Sequence, residues 1–514
     1  MPKSSLPPHW NGLQITAKQT LSRRDQLVSH FRDAIRRGLA PMGTRLPSSR
    51  QLAIDLGVSR QTVVAAYERL ALEELVETRR GDGTYIAIEI GPIHLARSNP
   101  TLAPSRLSAR AQRMLDLPIT PHLRDKRGLL SPGVPALEEF PWAQWRKAGE
   151  PMAGRARSDR LDRVDPLGSI LLRKAIAEYL AFSRGVLCEP EQVVVTAGSH
   201  SAIDLLCRVI FDAGDDVWIE DPGYVAGRGT LIANGANVHP VPVDQSGLRV
   251  SDGLSLSPSA RAAFITPSHQ FPLGVEMSQA RRLQLLKWAD DQRSWIVEND
   301  YGNDFRYEGR SIPTLHRLGR TSGDRVIFIG TFSNALAPGL RLGFIVAPTL
   351  LIEPIKRVRI FSDRQPPEPL QSQLAEFIVR GFLTEHLRKM KSTYQDRRDA
   401  VYETLCRRRS CNLDPGELPA SGMHLIAGLP RCSDAVVSRK ATERDIYVPP
   451  LSAFFNEPGN APQGLVIGFA GTPADRAKRA SEALCDLIER TANGAPSRHN
   501  WSSTAKEIGS NADV

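Results

Sequence analysis

Six short apolar runs, each bounded by turn residues, constrain this chain more than any other feature: residues 193–196, 217–220, 262–266, 295–298, 326–330 and 343–346. Runs without polar alternation suit strands covered on both faces, and helical patterns such as residues 279–290 fall between some of them. The alternation predicts an α/β fold: a mainly parallel sheet with helices on its faces, and a ligand site at the strands' carboxyl ends. At 514 residues the chain exceeds one ordinary core, so a smaller domain is expected beside this one.

Hydrophobic residues at 41% and charged residues at 24% supply enough apolar surface for a sizeable core. No run of about 18 apolar residues is present to span a bilayer, and residues 1–10 lack the apolar stretch of a signal peptide. A cytoplasmic protein without membrane contact is the expectation. Six scattered cysteines form no CxxC pair, which predicts free, mostly buried thiols and no metal site. The net charge of +10 is uneven: residues 1–127 hold 20 Lys+Arg against 11 Asp+Glu, and the rest hold 46 against 45. Positive excess confined to one quarter of the chain is what phosphate contact there would require, although a solvated basic tail gives the same balance.

Within that quarter, Ser22 can cap a helix that packs through Leu27, Phe31 and Ile35 and stops at Gly38. A second helix opens at Leu46-Pro47-Ser48-Ser49-Arg50, packs through Leu52, Ala53 and Leu56, and stops at Gly57. Ser59 caps a third. Two capped helices joined by Gly57-Val58 have the spacing of a helix-turn-helix, whose second helix enters the major groove of duplex DNA by its amino end. Arg60 and Gln61 there have donors suited to guanine and adenine edges, and Ser59 and Thr62 suit phosphate oxygens. Residues 76–86 read as two short strands about Gly81-Asp82-Gly83, a basic wing. These segments, including Gly81-Asp82-Gly83-Thr84-Tyr85, closely resemble the GntR-type winged-helix signature over residues 20–88. The resemblance implies that Arg50, Arg60 and Gly83 lie at the DNA.

The domain at residues 10–90 is expected to give way to a basic, proline-containing linker over 91–127, with one short helix in 105–115. A domain at 128–490 and a small, polar, disordered tail at 491–514 follow. In the large domain, the turns after the strands carry the chemistry. Ala197-Gly198-Ser199-His200 opens a helix and aims amides and a hydroxyl at an anion. Asp221-Pro222-Gly223-Tyr224 offers an aromatic plate, Asn299-Asp300-Tyr301 polar groups, and Thr331-Phe332-Ser333 two hydroxyls, with Arg341 close behind. Together they describe a pocket for a flat phosphorylated ring.

In order and spacing these segments resemble fold-type I aminotransferases, and in particular the MocR/GabR group of regulators that fuse that fold to a GntR-type winged helix. The match covers about residues 128–490 and includes Arg184-Gly185-Val186, Val195-Thr196-Ala197-Gly198, Glu220-Asp221-Pro222-Gly223-Tyr224, Thr266-Pro267-Ser268-His269-Gln270 and Ala337-Pro338-Gly339-Leu340-Arg341-Leu342-Gly343. It implies that Tyr224 would stack on pyridoxal phosphate, that Tyr301 would bond its phenolic oxygen, and that Ser199, Ser333 and Arg341 would hold its phosphate. It also implies a homodimer and a small-molecule effector, such as an amino compound or a B6 vitamer.

Two positions depart from the family. Asn334 follows Thr331-Phe332-Ser333 where the family has its Schiff-base lysine, and Asn299 follows Glu298 where the family has the carboxylate that pairs with the pyridine nitrogen. Asparagine forms no imine and does not hold a ring nitrogen protonated, so anchor and electron sink are both gone. Residues 198–201 and 161–165 also lack the family's glutamines and aromatic residue. The sequence predicts a regulator of operator DNA whose aminotransferase-like domain senses a ligand without catalysis, with pyridoxal phosphate bound non-covalently if at all. Two other readings are an aminotransferase with an accessory winged helix and a constitutive architectural dimer. Against the first, no lysine occurs from residue 288 to 355 to replace the missing one.

Overall fold

The computed structural model describes residues 15, 21–88, 107–117, 128–153, 165–309, 312–320, 324–408 and 413–492. They fall into two compact units that divide after residue 106. Most of the expected linker and tail, and residues 161–164, lie outside the described residues.

In the small unit, α1 (Arg23–Arg36), α2 (Ser49–Leu56) and α3 (Arg60–Leu72) are capped by Ser22, Ser48 and Ser59, whose hydroxyls accept from the amides of Asp25, Gln51 and Thr62. Each cap satisfies an amide that the first helical turn leaves free. Gly57 ends α2 at φ +60°, where a residue with a Cβ is disfavoured. Leu27, Phe31, Leu52, Val63, Ala66 and Leu70 close a core against strands β1 (Val76–Arg79) and β2 (Gly83–Ile86), which pair antiparallel.

The large unit is built on an eight-stranded sheet: β3 (Val193–Thr196), β4 (Asp216–Asp221), β5 (Asn237–Asp244), β6 (Gly247–Leu248), β7 (Ala262–Ile265), β8 (Trp295–Asp300), β9 (Val326–Thr331) and β10 (Gly343–Val346). The spatial order is β3-β10-β9-β8-β7-β4-β5-β6. Strands β5, β4, β7, β8 and β9 run parallel, and β10 runs antiparallel to both of its neighbours. All six runs marked by the sequence are strands, with ends shifted by up to two residues. Strands β5 and β6 extend the sheet beyond that set.

This topology delivers the loops to one edge. Chain leaving β3, β4, β7, β8 and β9 emerges there, and the reversed β10 starts there, so Arg341 arrives from the opposite chain direction. The helix Ser199–Ile210 begins one turn after β3. Helix Ala109–Asp116, the one expected in the linker, packs against helix Val225–Ala233 of the large unit. Beyond the sheet, β11 (His424–Gly428) and β12 (Gly464–Gly468) pair antiparallel, and helices Phe382–Arg407 and Ala474–Ala492 pack with them in a second core. No described helix is long and apolar enough to cross a membrane.

Candidate functional site

The loops at the sheet edge surround a cavity of about 270 Å³. Ser199, Tyr224, Asn299, Tyr301, Ser333, Asn334 and Arg341, the seven residues singled out in the sequence, all line it. They come from five strand ends, with Asn299 and Tyr301 sharing β8 and Ser333 and Asn334 sharing β9, so the sheet topology brings them together.

At one end sit groups suited to an anion. Ser199 is the first residue of its helix, where amide N–H groups are free and the dipole is positive. Thr331 Oγ1 donates to Ser333 Oγ at 3.0 Å and accepts from the Ser333 amide at 3.2 Å, which fixes the turn that carries both hydroxyls. Arg341 spends one N–H on Ala197 O at 2.6 Å. Gly198, at φ +95°, lets that guanidinium in, since a Cβ there would lie 3.0 Å from Arg341 Nη2.

Tyr224 forms the plate. Its ring stacks with His200 at 5.5 Å between centroids and 22° between planes, and its hydroxyl is hydrogen-bonded to His200 Nε2. Burial, helped by Arg341, pushes the His200 imidazole below its ordinary value, so this partner is neutral near pH 7. Burial pushes the Tyr224 phenol up to about 12.

The floor is polar and unpaired. Asn299 is 9% exposed, and its Oδ1 is buried without a hydrogen-bond partner. The hydroxyl of Tyr301 is likewise buried and unpartnered. Such atoms cost free energy unless something bonds them. Asn334 donates from Nδ2 to the Tyr301 carbonyl at 2.8 Å, so its carboxamide is oriented by the backbone. Just below, Glu220 accepts from the Thr266 amide and hydroxyl, and burial pushes its carboxyl up to about 7. Asp300 faces away from the cavity's polar floor, in a buried ion pair with Arg184 at 2.8 Å.

Several lining residues carried no legible signal in the sequence. Pro132 and Gly133 come from before the sheet, Met423 and His424 from the start of β11, and Phe454 from a turn ahead of β12. His424 is held by a bond between its Nε2 and the Pro272 carbonyl at 2.8 Å. His269, neutral because burial pushes it down to about 3, packs edge-on to His424 and bonds Ser421. The tertiary fold alone assembles that wall.

On the small unit, Arg50, Ser59, Arg60 and Gln61 are exposed along the start of α2 and α3, while Thr62 and Gly83 are half-buried. The Ser59 and Thr62 hydroxyls lie 2.8 Å apart and Ser59 also caps α3, so both are partly engaged already. Arg60 Nε donates to Ser49 Oγ at 3.4 Å. In the wing, Gly83 sits at φ +139°, and a Cβ there would lie 2.9 Å from Arg45 Nε. Arg45 and Arg79 stand over the Tyr85 ring, at 5.9 and 4.6 Å from its centroid. Arg45 precedes the second helix and gave no sign of joining the wing.

Among the described residues, no group of three or more His, Cys, Asp or Glu side chains could hold a metal ion. The cavity's anion end and aromatic plate fit a flat phosphorylated ring of the kind the aminotransferase fold normally binds. Its floor does not fit covalently held pyridoxal phosphate, since no lysine lines the cavity and the group facing the ring edge is an uncharged amide.

Comparison with known proteins places both units. Residues 23–86 match the gntR family of bacterial regulatory proteins, and residues 130–484 match aminotransferase class I and II. The chain is 38% identical over 450 residues to the "Probable rhizopine catabolism regulatory protein MocR" of Rhizobium meliloti, covering 87% of this chain and 90% of that protein. It is 31% identical to the "HTH-type pyridoxine biosynthesis transcriptional regulator PdxR" of Corynebacterium glutamicum, covering 90% and 95%. Among solved structures, the alpha-aminoadipate aminotransferase LysN of Thermus thermophilus shares the fold with a TM-score of 0.68 at 24% identity, covering 76% of this chain and 98% of that one. An archaeal alanine:glyoxylate aminotransferase gives 0.65 at 26%, covering 75% and 96%. This chain therefore belongs to the MocR-type transcriptional regulators, in which a gntR-family winged helix is joined to an aminotransferase-like body.

Proposed function

We propose that the large unit of this regulator is a catalytically degenerate aminotransferase fold that senses a small molecule, while the small unit holds operator DNA. The observation that carries this reading is Asn334, tied to the Tyr301 carbonyl at the base of the cavity. Transamination needs a primary amine there, and a carboxamide supplies none. Asn299 removes the charge that would make a bound ring an electron sink. What survives is binding chemistry: the anion end with Ser199, Ser333 and Arg341, the Tyr224 plate and the unpaired groups of Asn299 and Tyr301.

On the small unit, Arg60 and Gln61 would read base edges, Ser59 and Thr62 would meet phosphates, and Arg50 and the wing at Gly83 would lie at the DNA. The exposure of Arg50, Arg60 and Gln61 and the stacked cations of the wing support this assignment. A homodimer would present two such heads to one operator.

The visible spectrum tests the degenerate site. Purified protein incubated with pyridoxal phosphate and desalted should be colourless, and borohydride should add no mass. A yellow protein that borohydride bleaches with a stable mass increase would show covalent attachment and overturn the reading.

A further inference from the structure

Asn299 and Asn334 define a hydrogen-bonding pattern as well as a loss. Asn299, nine-tenths buried, replaces a charged acceptor with a neutral carboxamide whose Oδ1 is buried without a partner and whose Nδ2 donates to none of the described residues. A carboxylate there favours a protonated ring nitrogen, whereas a carboxamide offers an N–H to a ring nitrogen that keeps its lone pair. Asn334 has committed Nδ2 to the Tyr301 carbonyl, which leaves Oδ1 as the atom it can offer a ligand. An oxygen acceptor at that place pairs with an N–H and opposes the carbonyl oxygen of an aldehyde. The unpartnered Tyr301 hydroxyl supplies a further donor to the same rim of the ring. At the other end, Arg341 and the first turn of helix Ser199–Ile210 supply positive charge and free amides.

We propose that the cavity takes a flat, uncharged nitrogen heterocycle that bears an exocyclic amine and an anionic arm, a phosphorylated aminopyrimidine. Such a ring accepts from Asn299 and Tyr301 through its nitrogens, donates its amine to Asn334 and stacks on Tyr224. It forms no covalent bond and needs no lysine. The proposal rests on the sensing reading above and deepens it by naming the ligand class.

Isothermal titration of the full chain at pH 7.5 with two probes tests it: 4-amino-5-hydroxymethyl-2-methylpyrimidine phosphate and pyridoxal 5′-phosphate. The pyrimidine phosphate should bind at least about tenfold tighter, a difference that one well-placed hydrogen bond supplies. Asn299→Asp should reverse that order, because the carboxylate repels the lone pair and pairs with a pyridinium. Arg341→Ala should weaken both probes alike. A wild-type preference for pyridoxal phosphate, itself weakened by Arg341→Ala, overturns the ligand class and leaves the cavity as the sensing site. Binding of neither probe also overturns the ligand class, while the degenerate-site reading is decided separately by the visible spectrum. An Asn299→Asp protein that keeps the wild-type order overturns the role given to Asn299.

Discussion

Asn334 and Asn299 were fully legible in the sequence, because a recognisable frame of neighbours surrounds each and the departure is a change of residue type. The surroundings of each were not, since the Tyr301 carbonyl that Asn334 meets and the unpaired burial of Asn299 Oδ1 exist only once strands β8 and β9 lie side by side. Glu220 illustrates the same limit. The sequence shows a glutamate ending an apolar run, and the fold buries it at 4% exposure with two donors from Thr266 on one oxygen and none on the other. Desolvation outweighs those donors and pushes the carboxyl up to about 7. In an unfolded chain it titrates near about 4.3, so between these values the folded state holds a proton that the unfolded state has released. Stability from this group is therefore present at low pH and is lost as pH rises through about 7. Glu220→Gln keeps an acceptor for Thr266 and cannot ionise. Its melting temperature should fall less between pH 5 and 8 than that of the wild type, measured by calorimetry. Equal slopes for the two proteins would mean that Glu220 does not titrate in that window.

At the scale of elements, the helices of the small unit were readable to within a residue or two, because Ser22, Ser48 and Ser59 cap them and Gly57 stops one. Strand β5 was hidden by Pro240 and Pro242, which argue against a strand interior. They stand two residues apart and so share one side of the strand, and β6 pairs only with Val243 and Asp244. The missing N–H groups thus fall where the ladder is already short. Strands β11 and β12 were missed for another reason: they are separated by 35 residues, and only tertiary packing pairs them. The wing was read from Gly81-Asp82-Gly83, but its support by Arg45 was not. Gly83 allows that support twice over, through its positive φ and its lack of a Cβ beside Arg45. Gly83→Ala should strain the turn by about 1–3 kcal/mol and push Arg45 off Tyr85. DNA affinity should drop about tenfold or more while the thermal transition of the large unit stays in place. Unchanged DNA affinity would show that the wing makes no contribution to binding.

For the whole molecule, the sequence located both units because each has its own signal, charge and capped helices in one and apolar runs in the other. The far wall of the cavity stayed hidden, since Met423, His424 and Phe454 reach it from chain more than 80 residues beyond Arg341. A purified fragment of residues 107–514 should sediment at twice its chain mass, as the aminotransferase-like body implies; a monomeric fragment would assign dimerisation to the small unit. The division of labour between the units is tested most directly by fluorescence anisotropy on duplex DNA from upstream of the chain's own gene. At physiological salt the full chain should bind that DNA, with an affinity that falls steeply as salt rises because Arg and Lys of the small unit displace counterions. The 107–514 fragment, which lacks Arg50, Arg60, Gln61 and the wing, should show no binding; equal affinity of fragment and full chain would contradict a regulator that holds its operator through the winged helix.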